Sequence, residues 1–265
     1  MFITGEVDAA DMTEKDAATV GATETTLRIL ETLKGLDGAG VTEVANRLDL
    51  PKSTVHNHVS TLLENEYVVK EGTTYRVGLQ FLEFGEYIRS RMPIYDVARP
   101  EVERLAEETG ELANLLVEEH GKGVYICRAK GSRAVRLDTY AGMRVHLHCT
   151  ALGKAILAHL PEERVREIIE TRGLPARTDT TITDEETLFA ELDAVRERGV
   201  AHDEEERLAG LRCVAAPIRN LDGNALGAIS VSGPTSRMKG DRFEAEVPDE
   251  LISTANVIEL NLNYS

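Results

Sequence analysis

Val41-Thr-Glu-Val-Ala-Asn-Arg-Leu-Asp-Leu-Pro-Lys-Ser-Thr-Val-His56 is the stretch on which the reading of the fold turns. Its first half predicts a short helix, with Thr42 as cap and Val44, Ala45 and Leu48 turned inward. Leu50-Pro51 breaks that helix, because proline drives its predecessor out of the helical region. The second half opens another helix, whose Val55, Val59, Leu62 and Leu63 fall on one face at helical spacing. The opposite face carries Lys52, Ser53, Thr54, His56, Asn57, His58 and Thr61. These side chains are short and hydrogen-bonding, as reading of base edges in a major groove requires; asparagine can pair bidentately with adenine. Ser53 and Thr54, beside the free N–H groups of a helix start, suit a phosphate.

On the N-terminal side, Leu27, Ile29, Leu30, Leu33 and Leu36 repeat at helical spacing, and Gly38 and Gly40 stop that helix. On the C-terminal side, residues 67–70 and 74–77 read as strands around Glu71-Gly72-Thr73. Helix, helix, Leu-Pro break, polar helix and hairpin make a winged helix-turn-helix over residues 22–78, with the helix-turn-helix at 41–63. In the hairpin Lys70 and Arg76 flank the tip, where they reach DNA backbone or minor groove, and Arg47 is a further phosphate contact. Residues 1–21 are acidic, without period, and read as a disordered tail. Leu79, Leu82, Phe84, Tyr87 and Ile88 mark a linker helix within 79–94, whose broad apolar face fits a second subunit or its own domain.

From residue 95 to 262 helices and strands mix. Residues 102–109, 151–159 and 249–260 are expected to be helical, as is a stretch from a Thr183-x-x-Glu186 capping box to Arg198. Residues 115–118, 124–129, 134–137, 213–218 and 226–231 are expected to be strands, the last two joined at Asp222-Gly223. The whole is α+β, the second domain built on an antiparallel sheet. Thr150 can cap the helix that starts at Ala151, leaving the N–H groups of Ala151, Leu152 and Gly153 at its positive end for an anion. Ser230 and Ser232 share one face of a strand, Cys213 lies on the neighbouring strand, and Asp203 falls in the loop before it. Together they line a small polar pocket in which ionised Asp203 faces a ligand's hydroxyl or amine end.

Three motifs carry a family resemblance. The helix-turn-helix stretch quoted above looks like that of the IclR family of transcription regulators. His146-Leu-His-Cys-Thr-Ala-Leu-Gly-Lys-Ala-Ile-Leu-Ala158 and Gly210-Leu-Arg-Cys-Val-Ala-Ala-Pro-Ile218 are similar to two segments of that family's second domain, and Ala228-Ile-Ser-Val-Ser-Gly-Pro234 closes the match. The resemblance spans residues 23–262. It implies a GAF-like effector-binding domain and a small-molecule effector, often an organic or aromatic acid, held at Val145, Ala151, Leu152, Asp203, Cys213, Ser230 and Ser232. His146 and Cys149 depart from the family's commoner Pro and Ala, which points to a more polar ligand such as a sugar acid or an amino acid.

Composition bounds the alternatives. The 265 residues carry 46 acidic against 30 basic side chains, a net charge of −16, which should repel phosphate. At molar salt the Debye length is about 3 Å, so only charges touching DNA count; the composition reads as that of a halophile's cytoplasmic protein. No signal peptide or membrane span is expected. The three cysteines form no CxxC pair, and no short spacing joins His146, His148, Asp203 and Cys213 as metal ligands, so neither metal nor cofactor is assigned. A cysteine enzyme would need Cys213, His146 or His148, and Asp203 to act as nucleophile, base and orienting group. The remaining alternative is a winged helix reused for protein contact alone. The reading is a DNA-binding transcription regulator, acting as repressor or activator of a catabolic pathway. It binds a palindromic operator as a homodimer or homotetramer under control of an anionic effector.

Overall fold

The computed structural model describes residues 19–137 and 139–264, so all but the end of the expected acidic tail lies outside the described residues. The chain divides into two compact units at Gly85 and Glu86. The first unit contains α1 (Gly21–Gly35), α2 (Val41–Leu48), α3 (Lys52–Glu64), β1 (Val68–Glu71) and β2 (Thr74–Val77). Its core is formed by Ile29, Leu33, Val44, Val55, Val59 and Leu62 from the three predicted apolar faces, while Leu27 and Leu63, expected on those faces, are exposed. Ala39 bridges Tyr75 through two backbone hydrogen bonds of 2.9 and 3.0 Å, tying the hairpin to the turn before α2. The cap of α2 is Gly40 and not Thr42: the N–H groups of Glu43 and Val44 already reach the Gly40 carbonyl, so Thr42 sits inside the first turn.

The linker helix α4 (Gln80–Arg89) follows, and no residue of it is buried. The helix expected over 102–109 begins earlier, at Pro93: α5 (Pro93–Thr109) runs through Pro100. Proline needs no N–H partner in a first turn, so the same residue type that interrupts a helix also starts one.

The second unit is built on an antiparallel sheet in the order β5-β4-β3-β8-β7-β6. Its strands are β3 (Leu112–Glu119), β4 (Lys122–Lys130), β5 (Arg144–Val145), β6 (Ala201–Glu204), β7 (Leu211–Arg219) and β8 (Ala225–Pro234). Residues 134–137, expected as a strand, run as a connection without ladder pairing. Asp203, expected in a loop, lies on β6 opposite Cys213. Helix α5 and the C-terminal α9 (Val247–Tyr264) bury Val102, Leu105, Leu251 and Ile258 on one face, against Leu115, Val214, Ile229 and Val231. The other face holds α6 (Ala151–Leu157), α7 (Glu162–Arg172) and α8 (Glu185–Arg198), packed on Leu116, Ala215 and Ala228. The expected box before α8 is shifted by one residue: Asp184, not Thr183, accepts the N–H of Thr187 at 2.9 Å.

The period-two alternation of the strands decides what faces α6. Leu112, Ser232, Cys213 and Asp203 are Cα partners in one row across β3, β8, β7 and β6, and Asn114, Ser230, Ala215 and Ala201 form the next row. Helix α6 is buried along its whole length. It lies so close to the turn before it that a Cβ on Gly153 would come within 2.1 Å of the Leu147 carbonyl oxygen.

Candidate nucleic-acid interface and ligand cavity

The exposed face of α3 presents Lys52, Ser53, His56 and Asn57 to solvent, with Thr54 half-buried. Pro51 precedes the helix and no side chain caps it, so the first-turn N–H groups are free to meet an anion. Among the described residues no hydrogen bond or ion pair engages the side chains of Lys52, His56, Asn57 or the exposed Arg47 of α2. Two expected contacts are otherwise occupied. His58 is half-buried, its Nδ1 2.8 Å from Thr26 Oγ1, so it anchors α3 to α1. Arg76 is held by Asp37 at 3.1 Å and by Glu71 at 3.4 Å, so it braces the hairpin. Lys70 remains exposed at the hairpin, its Nζ 5.3 Å from the Tyr75 ring centre.

In the second unit the two rows form the floor of a small cavity of about 10 Å³, lined among others by Asn114, Thr150, Ala151, Leu152, Asp203, Arg207, Cys213, Ser230 and Ser232. Thr150 caps α6 by accepting the N–H of Gly153 at 2.9 Å, which removes Gly153 from the expected anion donors and leaves Ala151 and Leu152. Val145, on β5, does not line the cavity; it pairs with Gly123 of β4 and packs in the adjoining core. Sequence reasoning missed Asn114, Tyr125 and Arg207. Asn114 shows as one polar residue within an apolar strand, whereas nothing in the acidic run around Arg207 marks it as a cavity residue.

Burial governs the ionisation of the site. Asp203 is pushed up to about 7, first by burial and then by the charge of Glu206, while its Oδ1 accepts the Glu206 N–H at 2.8 Å. At neutral pH it is therefore close to half neutral, and the expectation of a fixed negative charge there is corrected. Burial, and then Asp203, raise the Cys213 thiol far above its ordinary range. His146 and His148 lie elsewhere, in a separate cavity with Arg172 and Ile168. His146 Nε2 is 2.7 Å from Lys122 Nζ, and His148 Nε2 is 3.2 Å from the Pro175 carbonyl oxygen. The nucleophile, base and orienting group of a cysteine enzyme are thus not assembled. Among the described residues no three His, Cys, Asp or Glu side chains converge as metal ligands, and no helix is long and apolar enough to cross a membrane.

A winged helix-turn-helix followed by a sheet domain enclosing a polar cavity defines a transcription regulator with a ligand-binding domain. The comparisons with known proteins give the family. The IclR helix-turn-helix domain matches residues 22–72, and the domain described as "Bacterial transcriptional regulator IclR C-terminal" matches residues 87–260. The chain belongs to the IclR family. It is 32% identical over 240 residues to the "Probable HTH-type transcriptional regulator ArcR" of Halobacterium salinarum, covering 89% of this chain and 91% of that protein. It is 34% identical over 229 residues to the "HTH-type transcriptional repressor AllR" of Escherichia coli, covering 85% and 84%. An IclR homolog from Microbacterium hydrocarbonoxydans, crystallised with 4-hydroxybenzoate, superposes with a TM-score of 0.76 at 26% identity, covering 92% of this chain and all (100%) of that one. The protein is a DNA-binding transcription regulator. In the folded protein, iodoacetamide at pH 8 is expected to leave Cys213 unmodified, with labelling only after denaturation; rapid modification of Cys213 in the native state would contradict the ionisation described here.

Proposed function

We propose that this regulator reads a palindromic operator through α3 of two winged units, and that a small organic anion in the cavity sets how tightly the operator is held. The carrying observation is the pair of polar rows under α6, where Asp203, Ser230, Ser232 and Asn114 are all buried and face one enclosed space. Of these groups Asn114 Oδ1 has no partner, and a buried polar atom so left costs free energy until something meets it. The cavity is only about 10 Å³, room for about one water, so it has to widen to admit a ligand, which favours a short organic or sugar acid as effector. The relative crystallised with 4-hydroxybenzoate supports a carboxylate in this kind of domain. Control of a catabolic pathway by repression agrees with the relative named a repressor.

On the DNA side His56 and Asn57 read bases, while Lys52, Ser53, Thr54, Arg47 and Lys70 hold phosphates. One winged unit contacts too few base pairs for selectivity in a genome, so a second copy is needed. Its docking surface is the apolar face of the linker helix, where Leu79 is 82% exposed and Leu82, Tyr87 and Ile88 are each more than half exposed. The face is too large and too apolar to be left in water, and it continues along the segment that joins the two units. The acidic composition and the relative in Halobacterium salinarum support a salt-rich cytoplasm as its setting.

Asn57→Ala is expected to flatten base preference at one operator position, costing about 1–3 kcal/mol, whereas Arg47→Ala weakens binding to all sequences alike. Fluorescence anisotropy on operator and scrambled duplexes measures both; a wild type that binds the two equally would refute the assignment. Light scattering should give a dimer or tetramer that Leu82→Asp dissociates. Ser230→Ala/Ser232→Ala should still hold operator but respond to the inducing acid only at concentrations tens- to hundreds-fold higher, two hydrogen bonds being worth about 0.5–1.5 kcal/mol each. An unaltered response in the double variant would place the effector elsewhere.

The pH dependence follows from Asp203, whose charged neighbours are Glu206, Lys154 and Arg207. Its folded pKa of about 7 lies above the ordinary 3.8. Its contribution to stability is therefore fully present below pH 3.8 and is lost as pH rises through 7. Neutral Asp203 leaves the cavity with the charge of Arg207, so anion affinity should fall as pH rises through 7. Asp203→Asn should remove that dependence in calorimetric titrations; an affinity flat from pH 6 to 8 in the wild type would contradict it.

A further inference from the structure

Arg207 differs from its neighbours in the sheet domain. Arg212, Arg219 and Arg237 each hold a glutamate at 2.6–3.0 Å. Among the described residues Arg207 holds no carboxylate, although acidic residues outnumber basic ones 46 to 30 in the chain. Its guanidinium meets the Tyr125 hydroxyl at 3.2 Å and the Met143 sulfur at 3.9 Å, and nothing stronger. It is half-buried on the cavity wall, where its planar fork suits a bidentate carboxylate. The cavity floor presents a second unmet group. Asn114 is 3% exposed, its Nδ2 donates to Ser230 Oγ at 3.3 Å, and its Oδ1 is buried without a partner. A buried amide half-satisfied in this way is costly until something supplies the other bond.

We propose that the effector is a short hydroxycarboxylic acid, its carboxylate paired with Arg207 and its hydroxyl bonded to the free end of the Asn114 amide. The proposal rests on the reading of this cavity as the effector site and adds the ligand's chemical class to it. A hydroxyl both donates and accepts, so it satisfies Asn114 whichever way the amide is turned, and it also suits Asp203 in either protonation state. An oxo group only accepts, and leaves Asn114 Oδ1 unpaired. An ammonium group donates, but brings a charge into a closed space whose nearest carboxyl, Asp203, already has one oxygen committed to the Glu206 N–H. So small a cavity, widened only as far as the ligand demands, places the hydroxyl near the carboxylate and makes 2-hydroxy acids the natural members of the class.

An isosteric series tests this on the full-length protein: lactate, pyruvate, alanine and propanoate differ only in the group at the second carbon. Titration calorimetry at neutral pH should find lactate bound about 10-fold or more tighter than pyruvate and propanoate, the range expected when a buried polar group is left unpaired. Arg207→Gln, at a half-exposed position that leaves circular dichroism unchanged, should weaken lactate about 10- to 100-fold. Asn114→Leu should erase the preference for lactate over propanoate; if it fails to fold, the wild-type series and Arg207→Gln still decide. Pyruvate or alanine binding as tightly as lactate, or Arg207→Gln binding it undiminished, overturns the hydroxy-acid assignment and leaves the anion reading standing. A wild type that binds none of the four overturns the assignment too. Only an inducer response that also survives Ser230→Ala/Ser232→Ala would remove the effector site itself.

Discussion

Lys154 is fully buried in α6, and its ammonium reaches Glu206 at 2.5 Å, with Glu191 at 3.6 Å. A buried ammonium costs several kcal/mol unless it is paired, and removing one partner of such a pair costs about 3–5 kcal/mol. The pairing therefore decides where the segment between β6 and β7 sits. Glu206 donates its N–H to Asp203, Thr181 and Thr178 donate their hydroxyls to the Glu206 carbonyl oxygen, and Arg207 is the next residue along. One buried charge on the helix thus fixes the helix, the floor carboxyl and the wall guanidinium together. The placing of Asp203 and Arg207 around the cavity rests on it.

The same economy of charge explains how an acidic chain binds DNA. From Lys52 to Leu63 there is no acidic residue, and the first carboxylate of α3 is Glu64 at its far end. The surface that meets phosphate is locally neutral to basic while the rest of the molecule is negative. Long-range repulsion from that remainder falls off within about 3 Å in molar salt but extends to about 30 Å at 0.01 M, so it works against DNA binding most strongly at low salt. This repulsion opposes the counterion-release term, so affinity should rise less steeply as salt is lowered than the number of phosphate contacts alone would give.

Much of this was legible in the sequence because it is written in local periodicity. The apolar faces of the first three helices, the Thr150 cap and the hairpin at Asp222-Gly223 each need only a few neighbouring residues to be read. What was missed depends on contacts distant in the chain. Pro93 is a helix start only because α5 has a core to pack on, and residues 134–137 carry strand-like residues with no strand edge to pair with. Asp203 sits on β6 because Cys213 offers it a partner. Asn114 and Ser230 lie 116 positions apart yet share one hydrogen bond, and Arg207 belongs to the cavity through a fold-dependent approach to Tyr125, 82 positions away. The partners that His58 and Arg76 have within the unit, Thr26 and Asp37, were hidden for the same reason: they are remote in sequence.

The central claim is that the cavity beside α6 and the reading face of α3 are two sites of one equilibrium. Linkage requires that whatever factor the effector applies to operator affinity, the operator applies to effector affinity. Calorimetric titration of the effector into free protein and into protein saturated with operator measures this directly. The account predicts affinities that differ by the same factor, about 5- to 150-fold, by which the effector shifts operator binding. Equal effector affinity in the two titrations would show that the cavity and the DNA face are independent, and would contradict the account.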